Sequence, residues 1–119
     1  MEALNKESIL AASDSRIETV DVPEWNGSVC VKTMTGTERD SFDRMVLEGR
    51  GSDKNANIRN FRAKICVCCI CDDAGNRLFT DSEIEALGKK SSIVLDRISE
   101  AASKLNALGR QDIEELEKN

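Results

Sequence analysis

The segment IRNFRAKICVCCIC, residues 58–71, decides how this chain folds, because it is the one run that looks buried on nearly every side. Apolar residues recur along one face at helical spacing, namely Ile58, Phe61, Ile65 and Cys68. A strand competes with a helix over residues 65–71, since periodicity does not separate the two in a short apolar run. No helix breaker interrupts the spacing. We therefore predict a helix over residues 56–71 that forms the core.

Four of the five cysteines lie in this run, at positions Cys66, Cys68, Cys69 and Cys71. They form two overlapping C-x-x-C spacings, but a zinc site normally takes its ligand pairs from separate knuckles. Free cysteine is also among the most buried residue types and packs as a small hydrophobe. We expect core packing without a cofactor. A metal-binding or redox-sensing module is the alternative, to which Cys30 could add a single ligand.

Two β-strands are predicted before this core helix. β-Branched residues alternate with polar ones on both sides of Asn26-Gly27, a strong turn signal. Pro23 ends the first strand of the pair. The segment 16–34 is therefore predicted to be a β-hairpin, which must pack on the helices because a lone hairpin is marginal in water.

Helices are predicted from capping signals and from apolar spacing. Thr35 with Glu38, and Thr80 with Glu83, have the spacing of a capping box. The cleanest apolar seam runs through Val94, Ile98, Ala101, Leu105 and Leu108. The predicted helices lie near residues 5–12, 36–48, 56–71, 81–88, 91–108 and 110–118. The expected fold is mainly α, of the α+β class, in one helix-rich domain spanning residues 1–119.

Composition excludes several functional classes. The chain has 119 residues, a net charge of −5, no histidine, no tyrosine, three phenylalanines and one tryptophan. An acidic chain with few aromatic residues is a poor nucleic-acid binder. The absence of histidine removes the commonest general base and metal ligand, so we expect no enzyme. No apolar run approaches the roughly 20 residues that span a bilayer. We expect a soluble, intracellular protein with reduced cysteines and no membrane contact.

Charge is unevenly placed along the chain. The middle is basic through Arg50, Lys54, Arg59, Arg62 and Lys64, whereas the last segment is acidic through Asp112, Glu114, Glu115 and Glu117. This separation is compatible with head-to-tail self-association. Two solvated helix faces are the simpler interpretation of this charge distribution.

Trp25, at the hairpin turn, also allows two interpretations. It can be a packed turn residue or an exposed anchor for a partner.

Nearly the whole chain resembles one family in an ordered series of short motifs. They are SILAA at 8–12, DVPEWNGSV at 21–29, TGTERDSF at 35–42, RAK at 62–64, DDAGNRLFTD at 72–81, IEALGKKS at 84–91 and LNALG at 105–109. The sequence resembles the tail assembly chaperones of long-tailed phages with non-contractile tails, and of prophages. Where we would expect mostly Ala, Val and Leu in the apolar helix, this chain has cysteines, which supports packing over metal chemistry.

The resemblance implies a non-enzymatic scaffold that acts in the host cytoplasm and is absent from the mature virion. Such a protein self-associates, as a ring or a spiral, and coats the tape measure protein. A frameshift-extended version of itself and the tail tube protein are further implied partners. We hypothesise an interaction surface formed by Trp25, Phe42, Met45 and Leu105. A phage structural adaptor protein is a second alternative to this function.

Overall fold

The computed structural model of the chain describes residues 2–47 and 60–108. Within these segments the elements are, in order, α1 (Lys6–Ala11), β1 (Ile17–Val22), a 3-10 turn (Pro23–Trp25), β2 (Gly27–Lys32), α2 (Gly36–Leu47), α3 (Phe61–Cys69), β3 (Ile70–Cys71), a second 3-10 turn (Asp81–Glu83), α4 (Ile84–Leu87) and α5 (Ser92–Leu105). This arrangement confirms the α+β class. The predicted helix 110–118 lies outside the described residues, as do most of the basic residues of the middle and the acidic end.

The sheet is antiparallel, in the order β1-β2-β3. The predicted hairpin is confirmed, with Val20 opposite Val29 and Val22 opposite Gly27. Pro23 opens the turn between the two strands, and Asn26 closes it in the left-handed region with φ 58°. Asparagine tolerates that conformation better than most residues, which is why the Asn-Gly pair marks the turn. The turn places Trp25 at one end of the sheet.

The predicted core helix ends two residues early. Residues 61–69 are helical as expected, but Ile70 and Cys71 form β3 opposite Val31 and Cys30 of β2. The helical assignment of these last two residues was therefore wrong, because their backbone groups pair with a neighbouring strand instead of continuing the helix. Residues 58 and 59, which began the quoted segment, lie outside the described residues.

Both predicted capping boxes are present. The Thr35 amide donates to Glu38 Oε1 at 2.9 Å, and the Glu38 amide donates to Thr35 Oγ1 at 3.1 Å. The backbone N–H of each residue at the start of α2 is therefore hydrogen-bonded to the side chain of the other. Thr80 and Glu83 form the equivalent pair before a short 3-10 turn that leads into α4. The predicted helix over 81–88 is thus a 3-10 turn and a four-residue α-helix.

α3 lies at the centre of the described residues. It packs against α2, α4 and α5, while α5 also contacts β1 and β2. Six of its nine residues are buried, and all of these except Ala63 join the apolar seam of α5 in one cluster. The expectation that this segment forms the core is confirmed. Its position follows from composition, because an apolar element must be covered on all sides by the amphipathic ones.

Candidate interaction surface

Trp25 lies at the tip of the hairpin and is half-buried against the core. Its neighbour Glu24 forms two hydrogen bonds to Arg97 of α5, with Nη1 and Nη2 donating at 2.8 and 2.7 Å. The hydrogen bond from Arg97 is the main cause that lowers the pKa of Glu24 to about 2. This exposed ion pair ties the turn that carries Trp25 to α5.

The two α2 residues of the predicted surface differ in exposure. The Phe42 side chain is fully buried and meets the Phe61 ring edge to face, with centroids 5.9 Å apart. Met45 is half-buried and packs on the core cluster, so part of its surface remains open to solvent. Phe42 therefore holds α2 on α3, whereas Met45 leaves part of its side chain accessible to solvent.

Leu105 belongs to the interior of the protomer. It is 6% exposed and lies on the seam of α5, which is buried together with α3. The apolar seam predicted from spacing is therefore an internal packing surface over most of its length. Neither Phe42 nor Leu105 offers its side chain to a partner in this conformation, and their place in an interface stays a prediction.

The four clustered cysteines are all buried and form no disulfide. Desolvation is the main cause that raises the pKa of Cys66 and Cys69 to about 12 and of Cys68 to about 11. Burial likewise raises the pKa of Cys71. Metal ligation requires the thiolate, which these environments disfavour. Among the described residues, no three cysteine or carboxylate side chains come together in a way that could hold a metal ion.

Asn106, to which sequence reasoning assigned no role, joins three elements. Its Oδ1 accepts the Met34 amide at 2.6 Å, and its Nδ2 donates to the carbonyls of Lys32 at 3.2 Å and Ala102 at 2.9 Å. The same nitrogen lies 3.6 Å from Cys69 Sγ. Asn106 thus ties the end of α5 to the chain leaving β2. Only its position at the end of an apolar seam could have drawn attention to it.

Arg77 was also missed. Its Nε donates to the Val67 carbonyl in the last turn of α3 at 2.9 Å, and its Nη2 donates to Asp81 Oδ1 at 2.8 Å. A cation at a helix C-terminus satisfies a carbonyl that has no partner within the helix. The bond therefore stabilises the place where α3 gives way to β3.

Apolar side chains also remain outside the core. The exposed large aliphatic residues among those described are Leu4, Ile9, Leu10, Ile17, Leu78 and Ile93. Half of them belong to α1 and the residues before it, and α1 has no buried residue. None of the helices in the described segments has the length and apolar character that crossing a bilayer requires.

Two comparisons with known proteins found a match. The family model described as phage tail assembly chaperone matches residues 5–119. A solved structure of the bacteriophage HK97 tail assembly chaperone matches with a TM-score of 0.60 and 22% identity, over 83% of this chain and 94% of that one. At that identity the likeness shows the fold alone. No curated protein matches the chain in sequence.

Proposed function

The chain belongs to the phage tail assembly chaperone family, and on that premise we propose that it coats the tape measure protein during tail morphogenesis. The observation that carries the proposal is the family match over residues 5–119, which includes every described element from α1 to α5. Membership implies interaction with tail proteins. The finer statement, that the client is the tape measure protein, is our proposal.

The physical demands of that task suit the chain. A tape measure protein is long, helical and apolar when it is not enclosed, so a chaperone must offer apolar contacts while staying in solution. Six large aliphatic side chains are exposed among the described residues, and the chain carries a net charge of −5. Exposed aliphatic side chains offer apolar contact area to a client, whereas net charge opposes indiscriminate association.

We propose that Trp25 and Met45 contact the client directly. Each is half-buried, so each combines a fixed position with open apolar surface. Phe42 precedes Met45 by one turn of α2 and supports it from the core, and Leu105 supports α5 in the same way. In this proposal the two buried residues of the predicted surface act through the residues that they hold in place.

The remaining parts of the proposal follow from the family. The protein acts without enzymatic activity, in the host cytoplasm, and leaves before the virion is complete. It self-associates into a ring or spiral, and a frameshift-extended version and the tail tube protein take part in the same assembly. A phage-encoded or prophage-encoded origin is part of this proposal.

Co-expression with the tape measure protein tests the function. The tape measure protein should aggregate alone, and should remain soluble and co-purify when this chain is present. Trp25→Ala and Met45→Ser should weaken co-purification while Glu100→Ser, an exposed change on α5, should not. Circular dichroism must confirm that each variant is folded.

Three outcomes would overturn the proposal. The tape measure protein could behave the same with and without this chain. Stoichiometric amounts of the chain in purified virions would favour a structural adaptor protein. Stoichiometric zinc or iron in protein purified without chelator, lost in Cys66→Ser, would favour the metal or redox module.

A further inference from the structure

The N-terminal segment stands apart from the rest of the protein. Every residue from Glu2 to Thr19 is exposed, although the segment contains α1 and the first part of β1. Asn5 caps α1, with its Oδ1 accepting the Ser8 amide at 2.8 Å. Arg16 already belongs to the body, because its amide donates to Thr33 Oγ1 at 3.0 Å and its carbonyl accepts the Thr33 amide at 3.0 Å. Residues 2–13 precede these contacts, and none of them is buried.

A helix of this kind needs a covering surface. α1 has six residues, whereas isolated helices shorter than about 12–15 residues are marginal in water. Leu4, Ile9 and Leu10 of this segment are 68%, 57% and 75% exposed. Most helical stability in proteins comes from packing an apolar face, and here that face has no partner within the described protomer.

We propose that residues 2–13 form an exchange arm, whose α1 packs on the body of a second copy while that copy returns its own arm. The proposal deepens the self-association included in the proposed function and rests on it. The residues between α1 and β1 are exposed throughout and join the arm to the edge strand of the sheet. An arm attached at an edge can reach a neighbouring molecule without disturbing the core.

The area involved favours a reciprocal exchange. Each of the three aliphatic side chains can bury roughly 100 Å² of apolar surface. Two arms therefore bury about 600 Å², and a matching area on the receiving bodies brings the total to about 1,200 Å², the lower limit of a specific, stable interface. One arm on a client would bury half of that. The bodies also expose aliphatic side chains to receive the arms, namely Ile17, Leu78 and Ile93.

Sedimentation of the full-length chain over a range of concentrations tests the arm. The wild type should dimerise or form higher assemblies of dimers, and Leu10→Ser should raise the dissociation constant about 100-fold, since each dimer loses two buried leucines. Leu10→Met keeps the apolar volume and should behave as the wild type. Because Leu10 is 75% exposed in the protomer, both variants should keep the same circular dichroism spectrum.

A second measurement identifies the contact itself. In an equimolar mixture of isotopically labelled and unlabelled chains, methyl groups of Ile9 and Leu10 should show nuclear Overhauser effects to the other copy. Effects confined to one copy would overturn the exchange. Equal self-association of the wild type and Leu10→Ser would overturn the arm assignment alone.

Co-purification with the tape measure protein separates this inference from the chaperone function. A monomeric wild type that still binds the tape measure protein would end the proposed self-association and the arm, and would leave the client assignment standing. Loss of client binding by Leu10→Ser in a monomeric protein would assign the arm to the client instead. Dimerisation without client binding would support the arm and contradict the coating function.

Discussion

Replacing Asn106 with alanine should clearly destabilise the protein, although the residue is polar and partly accessible to solvent. The side chain is half-buried and makes three hydrogen bonds to backbone groups of Met34, Lys32 and Ala102. Alanine removes all three. The carbonyl of Ala102 keeps the Asn106 amide as a donor at 3.0 Å, whereas the Met34 amide and the Lys32 carbonyl lose their Asn106 partner.

The magnitude follows from these losses. A neutral hydrogen bond contributes about 0.5–1.5 kcal/mol net, and a buried group left without a partner costs about 1–3 kcal/mol. Because the site is half-buried, water can replace part of what is lost. We therefore expect the free energy of unfolding to fall by about 2–3 kcal/mol, a large share of the 5–15 kcal/mol typical of a domain. The melting temperature should fall by roughly 8–15 °C.

Urea unfolding followed by circular dichroism and by Trp25 fluorescence measures this change. The two signals should report one transition, with its midpoint lowered and its slope unchanged. Asn5→Ala is the matched control, because it removes an asparagine cap from α1, a helix with no buried residue. It should change the unfolding free energy little.

Two results would contradict this prediction. Asn106→Ala could lie within about 0.5 kcal/mol of the wild type, the range of ordinary surface substitutions. Asn5→Ala could also cost as much as Asn106→Ala. In either case the bonds at the end of α5 would not be what holds the β2 exit in place.

Three further predictions concern pH, thiol reactivity and packing. Because the pKa of Glu24 is about 2 in the folded protein, below its ordinary value of 4.5, its bond to Arg97 stabilises the protein above pH 4.5, and this stabilisation is lost as pH falls to 2. Glu24→Gln should flatten the curve of stability against pH between these values, and an unchanged curve would contradict the prediction. The buried thiols of Cys66 and Cys69 have pKa values of about 12, so they should react with a disulfide reagent only as fast as the protein unfolds. Prompt labelling of the native protein would contradict their burial. Phe42→Ala should lower the free energy of unfolding, measured in urea, by about 3–5 kcal/mol, and Phe42→Leu should lower it clearly less. Equal losses for the two variants would mean that the ring does not fill its site.

Much of the fold was predictable because its signals are local. The Thr35–Glu38 box and the alternation around Asn26 each join residues a few positions apart, and the structure has both where the sequence predicts them. Apolar spacing likewise identified α3 as the core, since a helix without a polar face must be covered. The resemblance to tail assembly chaperones, now shown as family membership, came from the order of such local motifs.

The predicted interaction surface shows where local signals fail. An apolar stripe has the same spacing whether it faces the protomer core or a partner, so the sequence did not separate Leu105, which is buried, from Met45, which is half-exposed. Asn106 shows the converse case, because its polarity alone suggests an exposed side chain. In the structure it forms hydrogen bonds to Met34 and Lys32, which lie 72 and 74 positions earlier in the chain.

Local patterns in the sequence predicted α1, the hairpin, α2, α5 and both capping boxes, together with the central place of the cysteine-rich segment and the family. Tertiary structure decided where α3 ends, because Ile70 and Cys71 become a strand only when β2 lies beside them. It also decided that the thiols of Cys66, Cys68 and Cys69 are buried, which raises the pKa of each, and that no residue of α1 is buried in the described part of the protomer. These features depend on which distant surfaces meet, and the spacing of residues along the chain carries little information about that.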